Sequence, residues 1–100
     1  MSTQYDKLPE HMQEAARLYI EEGEMPGSFL VAVLTNNLVE AFGKADEVNR
    51  SCLWQWVLWL YNDIPEAAWG SAENVLAWSN DQIALRLAAR VEQGVPGWPR

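Results

Sequence analysis

The chain has 100 residues, enough for one domain with a single core and no room for a second lobe or a deep inter-domain cleft. Apolar residues make up 49% and charged residues 21%, close to the globular average, which argues against disorder across the whole molecule. Fourteen acidic against seven basic residues leave a formal charge of -7, a balance that repels phosphates and acidic membrane surfaces and so disfavours both as direct ligands.

Helix signals recur along the chain and strand alternation is nearly absent. The pattern predicts an all-α domain over residues 1–93, a compact bundle of four to five short helices around a Trp-rich central one, with a mobile tail at 94–100. The first helix starts at Pro9 and runs to Glu22, with Leu8, Met12, Ala15 or Ala16, and Tyr19 on its inner face and Gly23 as its stop. Its outer face carries Glu10, Glu14, Arg17 and Glu21, so Arg17 can pair with carboxylates one turn away. Glu24 to Gly27 form a turn, and Ser28 is expected to cap a second helix that buries Phe29, Leu30, Val33 and Leu34. Asn36 and Asn37 interrupt it, and a short helix from Leu38 to Phe42 ends at Gly43.

Asp46 caps the third helix, which carries the core. From Ser51 to Asn62 no residue is charged, and Gln55 is the only polar side chain between the two ends. Val48, Cys52, Leu53, Trp56 and Leu60 line one side, while Trp54, Val57, Leu58 and Tyr61 lie around another, which predicts a helix packed on two or three sides. The run is too short to span a bilayer, which takes ~20 apolar residues. Asn62 to Pro65 end it. Ser71 caps a fourth helix with Glu73 in its first turn, anchored by Val75, Leu76 and Trp78. Ser79 to Asp81 are expected to break that helix and cap a last one, in which Ile83, Leu87 and Val91 recur at four-residue spacing.

Chemistry-bearing residues are sparse. Zinc and similar metals need several His and Cys ligands, and the chain has one His11 and one Cys52, so no metal or cofactor is expected. Cys52 can form no internal disulfide and reads as a small core residue. The serines have no imidazole beside them and no Gly-rich phosphate loop exists, so catalysis is left to some pair of carboxylates that nothing in the sequence selects. The first seven residues have neither the basic nor the apolar stretch of a signal peptide, which points to the cytoplasm.

The charge distribution is more informative than the total. No basic residue stands between Arg17 and Lys44, where Glu21, Glu22, Glu24 and Glu40 lie, or between Arg50 and Arg86, where Asp63, Glu66, Glu73 and Asp81 lie. Glu21, Glu22 and Glu24 in the first turn, Asp63 and Glu66 in the later loop, and the neighbouring Trp69 are therefore the candidate partner-binding residues. One or two of Trp54, Trp69 and Trp98 are expected to be partly exposed and available to a protein; stacking on bases would call for a basic groove that the sequence lacks.

The stretch from Tyr19 to Trp78 resembles a family of short proteins encoded by phages and integrated elements. The resemblance is carried by Tyr19, Gly23, Pro26 to Leu30, Ala32 to Leu34, Asn36 to Leu38, Ala45, Asp46, Asn49, Leu60 to Asn62, Pro65, Trp69 to Ser71, and Trp78. These are turn, cap and core residues. Some members of such a family act as anti-CRISPR proteins on type I-F surveillance complexes. The resemblance thus implies an inhibitor in the host-cell cytoplasm that binds the basic, nucleic-acid-binding surface of complex subunits and blocks target DNA. Two other classes fit the same residues. One is a self-associating phage accessory or virion protein, a dimer with exposed Trp in its two-fold interface; the other is a small enzyme with a carboxylate site.

Overall fold

The computed structural model describes residues 5–92, and its frame is set by where the first helix stops against the last. Helix α1 (Glu10–Glu22) ends at Gly23 in the left-handed conformation, φ 79°. The Gly23 and Glu24 N–H groups donate back to Tyr19 and Leu18 at 3.0 and 3.2 Å, closing off carbonyls that the helix leaves open. Glycine is required here twice over. The positive φ disfavours a side chain, and a Cβ at this position would lie 2.5 Å from the Ser79 carbonyl oxygen. The Ser79 hydroxyl donates to the Gly23 carbonyl, and Trp78 Nε1 donates to Ile20 at 3.1 Å, so the C-terminal end of α1 is fastened to the last helix.

Helices α2 (Ser28–Leu34) and α3 (Leu38–Lys44) form a short hairpin. Asn36 makes the turn at φ 64°, a conformation asparagine tolerates, and Asn37 caps α3 by accepting from the Glu40 N–H at 3.2 Å. Ser28 does not cap α2. Gly27 holds the cap position without a side-chain bond, and Ser28 is the exposed first helical residue. Phe29, Leu30, Ala32, Val33 and Leu34 are all buried, so α2 is held by its burial rather than by its ends.

The expected central helix is divided. Asp46 caps α4 (Glu47–Ser51), accepting from the Asn49 N–H at 2.7 Å, but the chain leaves helical geometry at Cys52 (φ -122°, ψ 28°) before α5 (Leu53–Asp63) begins. The cause is local. The Ser51 hydroxyl and the Cys52 thiol both donate to the Val48 carbonyl, at 2.9 and 3.0 Å, while the Cys52 N–H turns to Asn49 at 3.3 Å. Cys52 is consequently only partly buried. On α5, Trp56 and Trp59 are fully buried and meet edge to face at 5.6 Å, and Phe29 packs on Trp56 at 5.5 Å. Each such burial contributes about 1.5–3 kcal/mol.

A single 3-10 turn (Glu66–Ala68) leads to α6 (Ala72–Glu92), whose N-terminus is capped as expected by Ser71, accepting from Asn74 at 3.1 Å. The break expected at Ser79 to Asp81 does not occur. The Ser79 side chain is spent on Gly23 rather than on its own backbone, and α6 runs through as one helix. From Ala84 to Arg90 every residue is exposed, so these turns extend beyond the packed body. Leu76, expected as an anchor, is also exposed.

The fold is thus a small all-α bundle, with six α-helices among the described residues rather than four or five. Its core gathers Tyr19, Leu30, Leu34, Trp56, Trp59 and Val75. The segment at 94–100, including Trp98, lies outside the described residues. No helix among the described residues is long and apolar enough to cross a membrane.

Candidate interaction surfaces

Helix α5 has one covered side. Trp56, Trp59 and Leu60 face the core, whereas Trp54, Val57, Leu58 and Tyr61 form an exposed ridge on the other side, with Trp54 61% and Tyr61 79% exposed. The expectation of packing on two or three sides therefore fails. The neighbours α2 and α3 are only seven residues each, and one helix width of cover leaves the far side of α5 bare. Leu38, Val39 and Phe42 on α3 are exposed as well, and Leu38 shares with Val57 a shallow groove floored by Ala41, Trp56 and Leu60.

On the opposite flank of the ridge lies a larger groove of about 380 Å³. Trp54, Leu58 and Trp59 give it an apolar wall; Gln55, Asn62, Lys7 and Asp63 give it a polar rim. Lys7 and Asp63 make no ion pair with one another or with any other described residue. The buried Trp59 Nε1 has no hydrogen-bond partner among the described residues.

The sequence-derived acidic candidates separate into two groups. Glu21 and Glu22 belong to a network on the chain's own arginines. Arg17 holds Glu14 at 2.8 Å, Glu21 at 3.5 Å and Glu22 at 3.6 Å, and Arg86 reaches Glu22 at 3.3 Å across 64 residues of sequence. Hydrogen bonding to Arg17 holds the Glu14 carboxyl below its ordinary range. Glu24, Asp63 and Glu66, by contrast, make no ion pair among the described residues; Glu24 and Glu66 are exposed, and Asp63 is partly buried. Trp69 is partly buried against the core. Its Nε1 is enclosed without a partner among the described residues and its carbonyl accepts from Asn74 Nδ2 at 2.9 Å, so Trp54 rather than Trp69 presents the exposed indole.

His11 lies on the surface with Nε2 2.9 Å from Asp46 Oδ2. Asp46 is held below the usual carboxylate range by the Asn49 N–H first and by His11 second. Among the described residues no three His, Cys, Asp or Glu side chains converge as a metal site. Compared with known proteins, the chain matches no family model, no curated protein and no solved structure.

The long stretches without a basic residue contain Glu24, Asp63 and Glu66, which make no ion pair among the described residues, and also Glu21, Glu22 and Glu40, which do. Sequence reasoning named Trp54 among the tryptophans expected to be exposed but missed the rest of the ridge on α5, because apolar residues all round a helix do not reveal which side its neighbours will cover. It also missed the placement of Lys7, far from α5 in sequence, on the rim of the groove beside that helix.

Proposed function

We propose that the protein acts by stoichiometric binding rather than by catalysis, placing its carboxylates on the basic, nucleic-acid-binding surface of a host protein. The resemblance of Tyr19 to Trp78 to short phage-encoded proteins makes a type I-F CRISPR surveillance complex the target. The observation that carries this reading is the set of carboxylates left unpaired by the chain's own cations, Glu24 and Glu66 being exposed and without an ion pair among the described residues. A carboxylate competes with phosphate for Arg and Lys through charge-assisted hydrogen bonds, and a surplus of negative charge accelerates encounter with a cationic groove.

Glu21 and Glu22 contribute less than their sequence position suggests, since Arg17 and Arg86 already engage them. The decisive experiment is co-elution of the purified protein with a type I-F surveillance complex, repeated with Glu24→Lys combined with Glu66→Lys. The wild-type chain is expected to co-elute and the double reversal to bind at least tenfold more weakly. Equal binding by both would overturn the assignment of these residues.

A further inference from the structure

The exposed ridge is a surface of a different kind from the carboxylates. Leu38, Trp54, Val57, Leu58 and Tyr61 are each about half or more exposed, on two adjoining helices of a 100-residue chain. A cluster of exposed large apolar side chains is characteristic of an interface. A contact of standard size takes about 800 Å² from each partner, and five large side chains with the surrounding groove walls supply area of that order.

Charge decides what covers it. The run from Ser51 to Asn62 has no charged residue, and the groove beside it is rimmed by one cation, Lys7, and one anion, Asp63, neither in an ion pair among the described residues. The chain elsewhere carries the surplus that makes its formal charge -7. A basic partner is drawn to those other faces and gains little here. Two copies of the chain repel one another wherever carboxylates predominate, and approach at least cost through the neutral face. One lysine and one aspartate on the same rim are also self-complementary, because a two-fold rotation places residue i against residue j and j against i.

We propose that this face is a two-fold interface between copies of the chain, in which Trp54 of each copy packs into the groove of the other and Lys7 pairs with Asp63 across the axis. Aromatic anchors in an uncharged centre with ion pairs at the rim are the usual anatomy of such contacts. The proposal is independent of the host target. A dimer would present Glu24 and Glu66 twice and take Asp63 out of the host-facing set.

Sedimentation of the full chain over a range of concentrations tests it, with circular dichroism confirming that each variant is folded. The wild-type protein is expected at twice its 11.4 kDa chain mass. Lys7→Asp alone and Asp63→Lys alone should each raise the dimer dissociation constant at least tenfold, Trp54→Ala should do the same, and Lys7→Asp with Asp63→Lys should restore the dimer. A wild-type monomer at all concentrations overturns the proposal, and it does so equally if Trp54→Ala then loses capture of a surveillance complex, which would assign the face to that partner. Failure of the double variant to regain the dimer overturns the pairing of Lys7 with Asp63.

Discussion

Trp54 and Trp56 stand two residues apart on α5 and face opposite ways, the first 61% exposed on the ridge and the second fully enclosed, with its Nε1 donating to Asn49 Oδ1 at 3.2 Å. One helical turn thus holds an exposed ridge residue beside the centre of the core. The separation of roles is testable. Trp54→Ala should change unfolding free energy by no more than about 0.5 kcal/mol, as surface substitutions do, whereas Trp56→Ala should cost about 3–5 kcal/mol. Urea denaturation of the two variants checks the contrast, read at a concentration low enough to keep any dimer dissociated.

The junction of α1 with α6 makes a second prediction. Gly23→Ala places a Cβ against the Ser79 carbonyl oxygen at a positive φ, and the backbone conformation alone costs about 1–2 kcal/mol. The substitution should therefore destabilise by more than about 2 kcal/mol. Ser79→Ala, which removes only the donor to the Gly23 carbonyl, should cost about 1–3 kcal/mol because that acceptor is left enclosed. Thermal denaturation ranks the two.

Tyr19 ties α1 to the 3-10 turn, its buried hydroxyl donating to Ala68 at 2.7 Å and Val75 at 3.3 Å. Tyr19→Phe should cost about 1–2 kcal/mol at neutral pH. Burial raises the phenol's pKa above its ordinary value, so the folded state keeps its proton where the unfolded chain loses it. The Tyr19 contribution is then fully present below the unfolded value of about 10 and is lost as pH rises toward the folded one. Stability of the wild-type chain should fall more steeply than that of Tyr19→Phe above about pH 10, as read by urea midpoints across the alkaline range.

Asp46 gives the opposite sign. Its depressed pKa, from the Asn49 N–H and then His11, adds stability above the unfolded carboxyl value of about 3.9 that is lost as pH falls through the folded one. Asp46→Ala should lower the unfolding midpoint at pH 7, and the difference from wild type should close in strong acid.

Much of this was legible in local chemistry. Gly23 as the end of α1, Asp46 and Ser71 as caps, and Trp56 in the core are signals confined to a few neighbouring residues, and each is found where the sequence places it. What escaped depends on partners distant in sequence. Ser79 reads as a breaker until its hydroxyl is seen to serve Gly23, 56 residues away, and Glu22 reads as free until Arg86 arrives from α6. The break at Cys52 escaped for another reason, since two side chains compete for the Val48 carbonyl and helix propensity does not register that competition. The bare side of α5 escaped because composition states what a helix could bury and not how much cover seven-residue neighbours can provide.

The most direct test of the proposed function is DNA occupancy of a purified type I-F surveillance complex titrated with this protein. Occupancy should fall to near zero as the protein approaches stoichiometric amounts, and the inhibition should weaken as salt is raised, because carboxylates and phosphates compete for the same cations. Unchanged DNA occupancy at a large molar excess of folded protein would contradict the account.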